Sequence, residues 1–318
     1  MIDDRVIARI AELFYIHNIS QYEIADKFNF SKAKVCRLIK EAKKRKIIEF
    51  QIKNVDKRPI ELEQKFEKKF KLKEAIIFYN SDINTYDEEV IFQEIGKIGT
   101  DYIHRIIDNN LNFALTWGKT LYYVIKNLKV DKKYNVNVFS TIGSVSLTET
   151  AYQNVNLAQM LSERIGGTCY PIYLPLILET PELKESLTQE NVINKVIGDT
   201  SKIDYYFTSL GTISKNSRMY TLGGFDLNFF NALISKKIVG EIGLNFYDIN
   251  GNFIKAGLED RTINLSVDEI QKIKNKIVIA FGDEKVDAIS GFLKTKIADV
   301  LITDSKTAEK VLEKAEET

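Results

Sequence analysis

The stretch SQYEIADKFNFSKAKVCRLIKEA, residues 20–42, contains two helix starts in quick succession. Ser20 and Glu23 have the spacing of a capping box, in which the hydroxyl accepts the third helical amide and the carboxylate accepts the amide of the serine. The short helix that follows presents Ile24, Ala25 and Phe28 for burial. Ser31 is the cap of a second helix that runs to about Arg45. Val35, Leu38, Ile39 and Ala42 recur at i, i+3, i+4 and i+7 and form one apolar stripe. At 3.6 residues per turn, Ala33, Arg37, Lys40 and Lys44 fall on the opposite face. A small residue near the start of a helix, followed by three cations, suits insertion into a DNA major groove. The short side chain allows close approach to base edges, and the cations meet phosphates on either side.

Working outward, residues 3–17 have the periodicity of an amphipathic helix over Val6, Ile10, Leu13 and Phe14, with Asp3 and Asp4 as caps. Asn18 and Ile19 interrupt it. Beyond the second helix, Ile47 to Ile52 alternates in the manner of a short strand and is expected to form a wing. Residues 1–55 therefore read as a small all-α, winged helix-turn-helix head that binds double-stranded DNA. Its candidate contacts are Ser20, Gln21, Ser31, Lys32, Ala33, Lys34, Arg37, Lys40 and Lys44. Charge points the same way. The formal net charge of the chain is only +1, but residues 1–58 carry 14 Lys and Arg against 8 Asp and Glu, leaving the remainder acidic. A cationic head on an acidic body is the charge distribution of a polyanion-binding protein.

Residues 56–318 read as the second domain. A helix from Pro59 to about Phe70 spaces Leu62, Phe66 and Phe70 four apart, a stripe suited to packing on the body or on a partner subunit. From Lys71 onward, strands at 73–79, 111–117, 134–140, 204–211, 276–282 and 298–303 are interleaved with helices at about 87–108, 118–128 and 154–165 and after the last two strands. Continuous apolar strands alternating with helices predict an α/β, Rossmann-like parallel sheet covered on both faces.

Several motifs resemble the SorC (sorbitol-operon regulator) family of sugar-responsive bacterial transcription regulators. In the head they are Ser20-Gln21-x-Glu23-Ile24-Ala25, Ser31-x-x-x-Val35-x-Arg37-Leu38-Ile39-x-x-Ala42 and Ile47-Ile48. In the body, Trp117-Gly118-x-Thr120-Leu121 is similar to the family's GWGxTL turn. Gly240-Glu241-Ile242 with Phe246-Tyr247-Asp248-x-x-Gly251 resembles its GDIxxxFFDxxG stretch. Ala280-x-Gly282-x-x-Lys285-x-x-Ala288-Ile289 resembles AGGxxKxxAI, and Leu301-Ile302-Thr303-Asp304-x-x-Thr307-Ala308 resembles LITDxxTA. Three positions depart: Thr116 and Phe281 stand where the family has glycine, and the arginine that follows its Gly-Gly is missing after Gly166-Gly167. The resemblance implies a DNA-binding regulator whose body binds a phosphorylated sugar, working as a homo-oligomer, typically a tetramer.

In open parallel sheets, ligands bind beyond the carboxyl ends of the strands. The candidate effector residues there are Gly118, Lys119, Thr120, Thr141, Gly143, Ser144, Gly211, Thr212, Glu241 and Lys285. The amides that open the 118–128 helix suit an anion. The Lys285 ammonium suits a phosphate, and Glu241 suits sugar hydroxyls. One alternative is an enzyme, since the body resembles the sugar-phosphate isomerase and deaminase fold; another is a DNA-binding oligomer whose pocket no longer functions. Catalysis would fall to Glu241, Asp283, Glu284 or Asp304, because His17 and His104 lie far from these loops in sequence. Asp304 has the position of a helix cap. The expectation is no catalysis, no cofactor and no metal: two histidines and the separated Cys36 and Cys169 give no ligand spacing, and no GxxxxGK[ST] loop occurs. No apolar run is long enough to cross a membrane, and the chain reads as cytoplasmic.

Overall fold

The computed structural model describes residues 2–49, 59–79, 88–144, 151–189, 198–214, 217 and 225–316. The chain divides into two compact units, Met1–Asp56 and Lys57–Thr318.

The first unit contains α1 (Asp4–Tyr15), α2 (Gln21–Phe28) and α3 (Lys32–Lys44). The Asp3 carboxylate accepts the Arg5 amide, and both halves of the capping box form between Ser20 and Glu23. Ser31 Oγ accepts the Lys34 amide at 3.2 Å. Such caps typically stabilise a helix by about 1 kcal/mol each. α2 ends at Asn29, in the left-handed region at φ 53°, and the Asn29 and Phe30 amides return to the carbonyls of Asp26 and Ala25. That closure aims the chain into α3. Ile7, Ile10, Leu13, Ile24, Val35, Leu38, Ile39 and Ala42 form the core.

The expected strand after α3 is not present at Ile47 and Ile48; residues 50–52 lie outside the described residues. Lys46 is left-handed at φ 54°, and the Lys46 and Ile47 amides return to the carbonyls of Lys43 and Ala42. This is a Schellman closure, whose residue after the left-handed position packs back on the helix. Ile47 is apolar because it completes that closure against the head core, and not because it alternates along a strand.

In the second unit, seven strands form one parallel sheet: β1 (Glu74–Phe78), β2 (Asn112–Leu115), β3 (Asn137–Ser140), β4 (Thr168–Tyr170), β5 (Tyr205–Thr208), β9 (Asn275–Ile279) and β10 (Val300–Asp304). Their spatial order is β1-β10-β9-β5-β2-β3-β4. One face packs against α5 (Glu88–Ile106), α6 (Lys119–Asn127) and α7 (Asn154–Ile165). The other is covered by α4 (Ile60–Phe70), α11 (Val286–Lys294) and α12 (Ser305–Glu316). This is the expected doubly covered α/β body.

The Leu62, Phe66 and Phe70 stripe of α4 packs on the body core. From the same helix, Glu63 Oε1 accepts the Ile77 amide at 2.9 Å and Glu67 Oε1 accepts the Ala75 amide at 3.1 Å. β1 lies at the end of the sheet, so among the described residues these amides have no neighbouring strand to donate to. Residues four apart on a helix advance about 6 Å, close to the ~6.6 Å between alternate residues of a strand. Two carboxylates can therefore close an edge that would otherwise invite pairing with another chain.

Elements absent from the sequence reading are short. A three-stranded sheet, β6 (Gly211–Thr212), β7 (Ile238–Ile242) and β8 (Asn245–Asp248), lies in the later part of the body with α8 (Pro181–Thr188), α9 (Leu227–Ser235) and α10 (Val267–Lys272). Gly211 and Thr212, expected in an open loop, are instead paired with Glu241 and Gly240 of β7.

Candidate functional site

α3 buries Val35, Leu38, Ile39 and Ala42 and leaves Ala33, Arg37, Lys40 and Lys44 exposed, as its periodicity predicts. Among the described residues, no acidic side chain pairs with Arg37, Lys40 or Lys44. Two other arginines of the head are engaged: Arg9 with Glu12 at 2.5 Å, and Arg45 with Glu41 and Asp4 at 2.8 Å each. The outward face of α3 thus carries positive charge with which no acidic side chain pairs among the described residues. Of the remaining candidates, Ser20, Ser31 and Lys32 are exposed, and Gln21 and Lys34 are half-buried.

In the body, the sheet order itself locates the crevice. After β2 the chain moves outward through β3 to β4; after β5 it moves the other way, to β9 and β10. β2 and β5 are neighbours, so the connections diverge between them, which is the place where open α/β sheets bind ligands. Both strand ends there carry a buried hydroxyl: Thr116 Oγ1 donates to Thr208 Oγ1 at 3.2 Å. Thr141, at the end of β3, donates to the Leu115 carbonyl. Tyr206, on β5, is buried, and burial drives its hydroxyl far above the ordinary phenol range.

Two elements bring further polar groups to this crevice. Lys285, on the turn between β9 and α11, is half-buried and donates to Ser209 Oγ at 3.4 Å, just past the end of β5. Glu241 on β7 is fully enclosed and accepts the Leu244 amide at 2.7 Å. Burial raises its carboxyl above the usual range, and the Leu244 amide and the Lys285 charge oppose that shift. Gly211 lies opposite Glu241 in the ladder; a Cβ there would sit 1.9 Å from Glu241 Oε1. Glycine at 211 makes room for the carboxylate.

Other expected residues have different surroundings. Gly118 is at φ 125°, a conformation that favours glycine, and opens α6 without a side-chain cap. Its amide donates to the Tyr152 carbonyl, and Thr120 is buried. The Lys119 ammonium lies 4.1 Å from the Phe92 ring centre and within 3.7–3.9 Å of Glu88 and Glu89, so it is drawn toward α5. Gly143 and Ser144 pair with an arm that crosses the end of β3. The Gly143 amide donates to Ile263, and Ser144 exchanges backbone bonds with Leu174 and Leu176. A Cβ at 143 would lie 2.7 Å from the Leu176 backbone, so this glycine permits strand contact. The Thr212 hydroxyl contacts Ser214.

The sequence marks Thr116 in the turn after its strand but gives no role to its hydroxyl, and it leaves Tyr206, Thr208 and Ser209 unmarked. A signal existed: both Leu115-Thr116 and Phe207-Thr208-Ser209 end an apolar strand with hydroxyl residues, but only the pairing of β2 with β5 shows that these ends meet.

Three of the carboxylates considered for catalysis, Glu241, Asp283 and Asp304, have structural partners. Asp304 caps α12 by accepting the Thr307 amide at 3.1 Å and the Thr307 hydroxyl. Asp283 pairs with Lys310 at 2.7 Å. His104 is exposed on α5, and His17 lies 3.8 Å from Glu12 in the head. Among the described residues, no group of three or more His, Cys, Asp or Glu could hold a metal, and no helix is long and apolar enough to cross a membrane.

Comparison with known proteins agrees with this architecture. The sugar-binding domain family matches residues 56–313. The deoxyribonucleoside regulator of Bacillus subtilis is 26% identical over 298 residues, covering 94% of each chain. The sorbitol operon regulator of Klebsiella pneumoniae is 24% identical over 314 residues, covering 98% of each. The crystal structure of full-length SorC from Klebsiella pneumoniae has the same fold, with a TM-score of 0.74 over 98% of this chain and 99% of that one. A transcriptional regulator from Streptococcus pneumoniae superimposes with a TM-score of 0.75 over 81% of this chain and 97% of that one. The chain belongs to the sugar-binding domain family and is a homologue of the sorbitol operon regulator SorC.

Proposed function

We propose that this chain is a DNA-binding transcription regulator whose operator affinity is set by a phosphorylated sugar bound at the β2–β5 crevice. Residues 1–55 are the DNA-binding domain and residues 56–318 the effector and oligomerisation domain. The observation that carries the reading is the exposed cationic face of α3 with Arg37, Lys40 and Lys44, in a unit separate from the one the sugar-binding family matches. End-to-end similarity to regulators of deoxyribonucleoside and sorbitol genes supports both halves. Lys285 supplies the charge for a phosphate, Thr116, Thr141 and Ser209 supply hydroxyls, and Glu241 is an acceptor for a sugar hydroxyl. The structural engagements of Asp304 and Asp283 favour sensing over catalysis. A single short recognition helix seldom binds tightly, so the regulator works in the cytoplasm as a homodimer or homotetramer on paired half-sites.

The test is to select bound sequences from a random DNA pool with the full-length chain. Affinity for the enriched site is then measured with and without a panel of pentose and hexose phosphates. Enrichment of a paired motif, and a shift in its affinity with one of the sugars, is the expected result. Failure to enrich any sequence removes the DNA-binding reading. An enriched site that no sugar phosphate alters removes the effector reading.

A further inference from the structure

Tyr22 is 64% exposed, whereas Phe14, Tyr15, Phe28 and Phe30 of the same head are partly buried. It lies in the first turn of α2 and contributes nothing to the core. Its hydroxyl accepts a hydrogen bond from the Lys32 ammonium at 2.8 Å, and that ammonium sits 4.0 Å from the ring centre. Lys32 is the first residue of α3, so the contact joins the start of one helix to the start of the next across the intervening turn. Beside it, the Lys34 ammonium lies 3.5 Å from the Phe30 ring centre. Two cations at the entry of the recognition helix are thus held over aromatic rings while remaining open to solvent on one side.

An isolated exposed lysine samples many rotamers and loses that freedom when it binds an anion. Here the ring restrains the ammonium beforehand. A phenol that accepts one hydrogen bond keeps its own proton to donate, and an ammonium has three donors, of which Tyr22 uses one. The pair therefore offers two neighbouring donor groups, 2.8 Å apart, and one positive charge, the complement of a phosphodiester oxygen pair.

We propose that Tyr22 and Lys32 act together as a preorganised clamp for one phosphate of the DNA backbone, with the lysine supplying charge and the tyrosine hydroxyl a second donor. The inference rests on the DNA-binding reading above and adds a residue, Tyr22, that neither motif nor charge had marked. Because it addresses the backbone, it acts on every DNA sequence alike.

The test uses the full-length chain and a mixed-sequence 30-base-pair duplex, with affinity measured by fluorescence anisotropy over a range of salt concentrations. Tyr22→Phe should weaken binding about three- to tenfold, the range of one hydrogen bond, and leave the salt slope unchanged. Lys32→Gln should lower the slope of log affinity against log salt by about 0.9, one phosphate contact. The double variant should lose less than the product of the two single losses, because each residue positions the other. Unchanged thermal midpoints would show that the fold is intact, as expected for exposed positions. Wild-type affinity for Tyr22→Phe, or losses that simply multiply, overturns the clamp while leaving the DNA-binding reading in place. A wild-type chain that ignores the duplex overturns both.

Discussion

Side chains on the same face of α3 are expected to do different work, because base edges and phosphates make different demands. Arg37 presents a planar fork of donors in the middle of the face, and a fork that pairs with guanine contributes about 1–3 kcal/mol of discrimination. Arg37→Ala should therefore flatten the difference between operator and random DNA, read by competition binding; undiminished preference would place the recognition face elsewhere. Lys40→Ala or Lys44→Ala should weaken both DNAs equally and reduce the salt slope by about 0.9 each. In the body, Glu241 makes a prediction about pH. Burial raises its carboxyl above the ordinary range, so the folded chain holds that proton to higher pH than the unfolded chain does. The resulting stabilisation is complete below the unfolded value and is lost as pH rises through the folded one. Glu241→Gln keeps an acceptor for the Leu244 amide but cannot ionise. Its thermal midpoint should exceed that of wild type by a margin that grows from pH 4 toward neutrality. Parallel curves would show that Glu241 does not titrate across that window.

Among the elements, α4 and β1 show how a helix can close the edge of a sheet. The carboxylate of Glu63 is buried and accepts the Ile77 amide. Glu63→Ala would leave that donor without a partner, at a cost of about 1–3 kcal/mol. Glu63→Gln retains an acceptor and should lose much less. Denaturant midpoints of the body transition distinguish the two, and equal losses would mean that packing of the side chain, not the hydrogen bond, matters. The arm that crosses the end of β3 depends on close backbone approach at Gly143. Adding a methyl group to a filled contact commonly costs about 1–3 kcal/mol. Gly143→Ala should accordingly lower the same midpoint; an unchanged value would mean that the arm yields freely.

For the whole molecule, the proposal requires free energy to pass from crevice to head. Coupling of this kind is commonly about 1–3 kcal/mol, or roughly 5- to 150-fold in operator affinity, and it is reciprocal. Operator DNA should change sugar-phosphate affinity by the same factor that the sugar changes operator affinity, which titration calorimetry on each binary complex can check. Unequal factors at equilibrium would mean that the two ligands are reporting on different species. Lys285→Ala should abolish the sugar response while leaving basal operator affinity intact, since Lys285 lies in the other compact unit.

Local physics explains which of these features could be read from the chain alone. The caps at Ser20 and Ser31, the stripe on α3 and the apolar strands follow from short-range periodicity and from donors within three residues of their acceptors. Those interactions form wherever the segment sits, so the sequence by itself determined a helix-turn-helix head and a parallel α/β body. Ile47 looked like strand because an apolar residue closing a Schellman turn and one in a strand are indistinguishable without backbone angles. The crevice could not be read in this way. Thr116 and Thr208 meet only because β2 and β5 pair, and Gly211 faces Glu241 only because a second sheet folds back there. Strand order depends on the burial of many residues far apart in the chain, a global balance that only the tertiary structure decided. It also gave Lys119 to α5 and Gly143 to the arm, because a side chain takes the nearest partner the fold provides.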